Sequence, residues 1–142
     1  MYKHVMVIGA DTFSNIIDWE RRDAVFFGDG AGALVLAPTS EDKGFVDFLL
    51  HTDGSGKEHF TVPAGGFETP ASAESIKNRQ HFFQMNGREV FDTAVKVVPT
   101  CIHEILEKNQ LKIDDMSCML PHQPSIRILE EIARKEGCLS TR

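Results

Sequence analysis

Only three cysteines occur in the 142 residues, Cys101, Cys118 and Cys138, and none forms a CxxC pair. An odd, unpaired set gives neither a disulfide framework nor a structural zinc site. No apolar run approaches the roughly 20 residues that cross a bilayer, and the short run Val5 to Ala10 is unlike a signal peptide. The expectation is a cytoplasmic protein with no membrane partner. An excess of positive charge is missing too: the net charge is −6, which argues against a nucleic-acid surface while leaving room for local basic clusters. The loop His51 to Ala73 gathers His51, Asp53, Glu58 and His59, but their spacing matches no metal-ligand pattern, so no metal is expected.

What is present is an ordinary globular composition, 42% hydrophobic and 25% charged. His4 to Gly9 is β-rich and reads as a buried inner strand, with Asp11, Ser14 and Asn15 supplying the polar break after it. The charged loop Asp18 to Asp23 precedes an expected second strand, Ala24 to Phe27, and a glycine turn at Gly28 to Gly32 leads into a third, Ala33 to Ala37. GDGAG lacks the lysine-bearing pattern of a phosphate loop and is followed by a strand-like run, so its glycines are read as a tight turn and close packing. Phe45 to Leu50 is again strand-like. Asn86, with Glu89 three positions on, opens the longest expected helix, Gly87 to Asn109, whose apolar face runs from Val90 to Leu106. Pro99 falls inside it and should bend it.

The most informative stretch is Met116 to Ile132. Met116 to Leu120 reads as an interior strand that ends at Pro121, and Ser125 as the N-cap of an amphipathic helix bearing Ile126, Leu129, Ile132 and Ala133 on one side. His122 then sits between strand and helix, where ligands bind in open α/β sheets and where a helix N-terminus favours a neutral, hydrogen-bond-donating imidazole. The plainer reading is a histidine that caps a turn. Cys101 and Cys118 lie among apolar residues and read as inert core thiols.

Three segments in one order carry a resemblance: FFGDGAGALVL at Phe26 to Leu36, MNGREVFDTAV at Met85 to Val95, and LPHQPSIRI ending at Ile128. Together they resemble β-ketoacyl-acyl-carrier-protein synthase III, the condensing enzyme that starts bacterial fatty-acid chains, from Tyr2 to about Glu136 but over only the middle of the family's sequence. The resemblance implies an α/β, thiolase-like fold, present in part. Residues 1–44 would end its N-terminal half and residues 45–142 begin its C-terminal half.

For function, the resemblance implies an acyltransferase of fatty-acid biosynthesis that joins acyl-CoA to malonyl-carrier protein by decarboxylative Claisen condensation. His122 matches the family's catalytic histidine. Arg22, Gly87 and Phe91 match positions beside coenzyme A and its pantetheine arm, with Trp19 and Ser125 assigned to the same site, and Arg127 and Arg134 match basic positions that dock the carrier protein, with Lys135 adding to the cluster. Asp92 stands where a docking lysine is often found, with Arg88 and Lys96 as substitutes. No resident cofactor is implied, coenzyme A entering as a thioester substrate; the partners implied are acyl carrier protein and acyl-CoA, with a homodimer as the full-length form. The family's nucleophilic cysteine and its asparagine match no residue here, and the tail Gly137 to Arg142 departs from the usual continuation. This chain alone is therefore expected to be inactive and, with core partners missing, to associate. The alternatives are a non-catalytic module that binds carrier protein, coenzyme A or a complementary subunit, and another thiolase-fold acyltransferase.

Overall fold

The computed structural model describes residues 3–41 and 43–138, so the end of the divergent tail lies outside the described residues. The chain forms two compact units that interleave along the sequence. The first takes the chain up to Val46 together with Phe60–Met85; the second takes Asp47–His59 and the chain from Asn86 onward.

In the first unit, β1 (Val5–Asp11) pairs antiparallel with β2 (Gly30–Leu36) over seven residues, from Val5 opposite Leu36 to Asp11 opposite Gly30. Residues opposite one another share a face. Val5, Val7, Leu34 and Leu36 therefore lie on one side, and Met6, Ile8 and Val35 on the other, all exposed. Apolar side chains on both faces are the pattern of a strand covered on both sides, which explains why β1 reads from sequence as a buried inner strand; in the described residues it is an exposed one. The glycine turn is shorter than expected, because Gly30 and Gly32 already belong to β2.

The core of this unit is aromatic instead. Phe13 stacks on Phe27 at 4.7 Å between ring centroids, and Phe83 meets Phe13, Phe27 and Phe60 edge-on at 5.0, 5.0 and 4.6 Å. Edge-to-face geometry sets the positive ring edge against the negative face, adding to the burial of area. The expected strand Ala24 to Phe27 is a 3₁₀ turn, Arg22–Phe26. Four apolar residues are too few to fix a period, and the turn carries buried Ala24 at its centre and is followed by Phe27, which joins the ring cluster. A second small sheet pairs β3 (Phe60–Thr61) with β4 (Gln84–Met85), and between them lies α1 (Ala73–Lys77), opened by a reciprocal Ser72–Ser75 capping box. These elements within the expected loop and after it escaped the sequence reading.

In the second unit, α2 (Gly87–Lys108) follows its expected span to within one residue, with Asn86 Oδ1 accepting the Glu89 N–H at 3.4 Å. Helix α3 (Ile126–Lys135) follows Ser125. Its buried positions are Ile128 and Ile132, whereas Ile126, expected on the inner face, is exposed. Neither Phe45 to Leu50 nor Met116 to Leu120 is a strand; both are irregular and largely exposed, with no ladder partner among the described residues. A strand exists only through its hydrogen-bonded neighbour, and an apolar run does not supply one.

Proline accounts for one contact between the helices. Pro99 has no N–H, so the Val95 carbonyl one turn earlier loses its helical donor. Lys135 from α3 supplies the replacement, its Nζ donating to Val95 O at 2.6 Å. His103 of α2 reaches Glu136 at the end of α3 at 2.9 Å. On the other flank of α2, His51 meets Glu104 at 2.9 Å and Asp47 accepts from both Lys108 and Asn109.

Candidate functional site

His122 lies in the irregular segment four residues before α3. It is exposed and has no hydrogen bond or ion pair among the described residues. Its neighbours Pro121 and Gln123 line a cavity of about 450 Å³ closed below by Leu129 and Ile132, whereas His122 does not line it. The imidazole is thus open to an incoming group, which a turn-capping histidine would not be. Ser125 stands at the N-cap position of α3 but makes no side-chain cap bond, so its hydroxyl is uncommitted among the described residues.

Two thiols behave differently from expectation. Cys118, read as a core residue, is exposed; it is carried on the unpaired segment that a strand partner would otherwise cover. Cys101 is half-buried on α2. Cys118 and Cys138 both line the cavity beside His122, a convergence invisible in a sequence that separates them by a whole helix.

The basic residues of α3 have unequal commitments. Arg134 forms a fork with Glu131, Nε to Oε2 at 3.0 Å and Nη2 to Oε1 at 2.6 Å, and this hydrogen bonding holds the Glu131 carboxyl below its ordinary range. Lys135 is spent on the Val95 carbonyl. Arg127 alone of the three is exposed with neither an ion pair nor a side-chain hydrogen bond among the described residues. On α2, Gly87 is the exposed first residue, Phe91 is half-buried one turn on, and Arg88 is 3.8 Å from Asp92.

The remaining candidates belong to the first unit. Trp19 is 66% exposed. Arg22 opens the 3₁₀ turn and has no ion pair among the described residues, because the neighbouring Arg21 takes Asp23 in a two-bond fork at 2.9 and 2.7 Å. An indole and a free guanidinium three residues apart are chemically suited to a planar ring with attached phosphates. The loop that carries them is anchored by two contacts the sequence does not advertise. Asp18, almost wholly buried, is gripped by the guanidinium of Arg79, with Nε donating to Oδ2 at 2.8 Å and Nη2 bonded to Oδ1. Asp29 of the glycine turn accepts from the Ser14 backbone at 2.8 Å and from its hydroxyl at 2.6 Å. Arg79 hydrogen bonding depresses the Asp18 carboxyl, and Ser14 does the same to Asp29.

No group of three or more metal-ligating side chains occurs among the described residues, and no helix there is long and apolar enough to cross a membrane.

A family profile described as 3-oxoacyl-acyl-carrier-protein (ACP) synthase III matches residues 1–54. A curated relative from Natranaerobius thermophilus, β-ketoacyl-acyl-carrier-protein synthase III, is 43% identical over 140 residues, covering 96% of this chain and 43% of the relative. The enzyme of the same name from Desulfitobacterium hafniense is 42% identical over 138 residues, covering 96% of this chain and 42% of its own length. Among solved structures, a 3-oxoacyl-(acyl-carrier-protein) synthase III superposes with a TM-score of 0.86 at 27% identity, covering 95% of this chain and 43% of that one. The Thermus thermophilus β-ketoacyl synthase III superposes at 0.77 with 35% identity, over 95% of this chain and 41% of that one. This chain spans about two fifths of the length of the curated relatives it matches. The resemblance carried by three motifs thus extends over nearly the whole sequence, and the fold is a part of the thiolase-like fold of these enzymes.

Proposed function

We propose, from the premise that this chain is a stretch of synthase III-type sequence, that it carries the oxyanion-donor histidine and part of the coenzyme A surface of a chain-initiating condensing acyltransferase. In that chemistry an acyl group moves from coenzyme A to a cysteine thiolate. A malonyl thioester on the carrier protein then loses carbon dioxide, and the electron pair left behind enters an enolate. The enolate carbon attacks the acyl-cysteine, forming the new carbon–carbon bond and expelling the thiolate. His122 would donate an N–H to the malonyl thioester oxygen as its negative charge develops. Trp19 and Arg22 would hold the adenine and its phosphates, while Gly87, Phe91 and Ser125 would flank the pantetheine arm. Coenzyme A is here a substrate, and no resident cofactor is invoked. The nucleophilic thiol and the second donor, an asparagine in the family, correspond to no residue of this sequence.

The observation that supports the reading best is the exposed, uncommitted imidazole of His122 immediately before α3. Carrier-protein docking falls mainly to Arg127, since Arg134 and Lys135 have partners already. The test is carbon dioxide release from labelled malonyl-carrier protein by the complete enzyme that contains this sequence, with and without His122→Ala. Loss of one oxyanion donor should slow release by about 10²–10³-fold. Undiminished release would overturn the assignment.

The guanidinium groups of Arg22 and Arg127, exposed and without ion pairs among the described residues, support a second reading, binding of coenzyme A or carrier protein by this chain itself. Calorimetric titration of this chain with coenzyme A and with carrier protein should then show saturable heats that weaken in Arg22→Ala and Arg127→Ala respectively. Silence with both ligands would remove it.

A further inference from the structure

Asn86–Gly87 opens α2, and it is the one place in the sequence where asparagine precedes glycine; Asn15, Asn78 and Asn109 are followed by Ile16, Arg79 and Gln110. Both residues of the pair are exposed, so water can reach them and ammonia can leave. Gly87 has no Cβ to crowd an approach to its own nitrogen. As the first residue of a helix, it also has an N–H with no carbonyl partner one turn earlier. Asn86 is fixed on both sides by its backbone, donating to His59 O at 2.9 Å and accepting from Val90 N at 3.1 Å. Its side chain, by contrast, is held by one long bond, Oδ1 accepting from Glu89 N at 3.4 Å. The Asn86 backbone stands at ψ 91°, which turns the Gly87 nitrogen away from the Asn86 side chain, so attack requires the peptide between them to swing about the Asn86 Cα–C bond at the exposed start of the helix.

We propose that Asn86–Gly87 is a site of spontaneous deamidation built into the start of α2. The Gly87 nitrogen gives up its proton and bonds to Asn86 Cγ, and the Nδ2 group departs as ammonia, leaving a five-membered imide. One water molecule then opens the ring. Opening at the side-chain carbonyl gives aspartate; opening at the backbone carbonyl gives isoaspartate, with an extra carbon in the main chain. The two products have opposite effects. Aspartate keeps an acceptor for the Glu89 N–H and adds a negative charge where the helix dipole favours one. Isoaspartate moves the acceptor and lengthens the link between β4 and α2, so the first turn loses its cap.

The test is incubation of the whole chain in mildly alkaline buffer, followed by trypsin, which cuts after Arg79 and Arg88 and isolates the pair in one short peptide. That peptide should gain the mass of amide-to-acid conversion and split into two chromatographic forms, one of them a substrate for isoaspartyl methylation. Peptides containing Asn15, Asn78 and Asn109 should stay unchanged over the same interval. Gly87→Ala should slow the conversion by roughly tenfold, because a Cβ now crowds the attacking nitrogen. A synthetic peptide of the same sequence supplies the unfolded reference. If it converts fully while the chain shows no change at Asn86, or if the other asparagines convert as fast, the proposal is overturned. None of these readouts depends on acyl transfer.

Discussion

Asp18 and Arg79 stand 61 residues apart, and their pairing fixes the loop that carries Trp19 and Arg22. Arg79 holds a left-handed backbone conformation at φ 58°, a strained position for a residue with a Cβ, and its two-bond grip on Asp18 helps to hold it there. Because the Asp18 carboxyl is depressed in the folded chain, its stabilising effect is present above the ordinary carboxylate range and disappears as pH falls through the lowered value. Thermal melts of the parent should therefore lose ground as pH drops below about 4. Asp18→Asn should melt lower at neutral pH and show a flatter acid limb; parallel pH profiles for the two would count against the pair. Nothing in DWERRD foretells which carboxylate is buried, since the partner comes from a distant turn. The reading of His122, by contrast, rests on the local string LPHQPSIRI and not on a remote contact.

At the scale of elements, the three that the sequence announced most clearly, β1, α2 and α3, are those whose spacing or length leaves one reading open. The runs at Ala24, Phe45 and Met116 were misread as strands for a shared reason: four to six apolar residues define no period, and a ladder needs a neighbour that local sequence cannot name. The cost of Pro99 was legible as well, though its remedy was not. The carbonyl it orphans is met by Lys135, which the resemblance had offered to a carrier protein. A double-mutant cycle isolates this link. Lys135→Met should destabilise the chain by about 1–3 kcal/mol while Pro99 is present, as befits a lost charge-assisted bond and an unsatisfied carbonyl. In a Pro99→Ala background, where the restored N–H serves Val95, the same substitution should cost little. Equal costs in both backgrounds would show that Lys135 does not answer the proline.

Across the molecule, the buried apolar residues are few: Ile17, Ala24, Ala64, Phe83, Ile128 and Ile132 among the described residues. Against them stand both faces of the β1–β2 sheet, with Val5, Met6, Ile8, Leu34 and Val35 all at least 48% exposed, and Phe45, Val46 and Leu50 beyond 80%. Apolar surface of that kind marks a place of association. Sedimentation velocity should show mass rising with concentration, and Ile8→Lys with Leu34→Lys, one on each face, should shift the distribution toward monomer. A single dispersed monomer at all working concentrations would refute this.

The interleaving of the two units bears on how order spreads along the chain. Three crossings, after Val46, His59 and Met85, mean that neither unit is a contiguous stretch. When Phe60–Met85 returns to the first unit, it ties down both ends of the intervening thirteen-residue piece Asp47–His59 and also the start of α2, which follows at once. The closure entropy of the second unit is then already partly met, since the segments it must join are no longer free to roam. Connectivity alone therefore makes each unit's ordering easier once the other has formed, and it makes the twenty-six residues from Phe60 to Met85 a common hinge of folding for both.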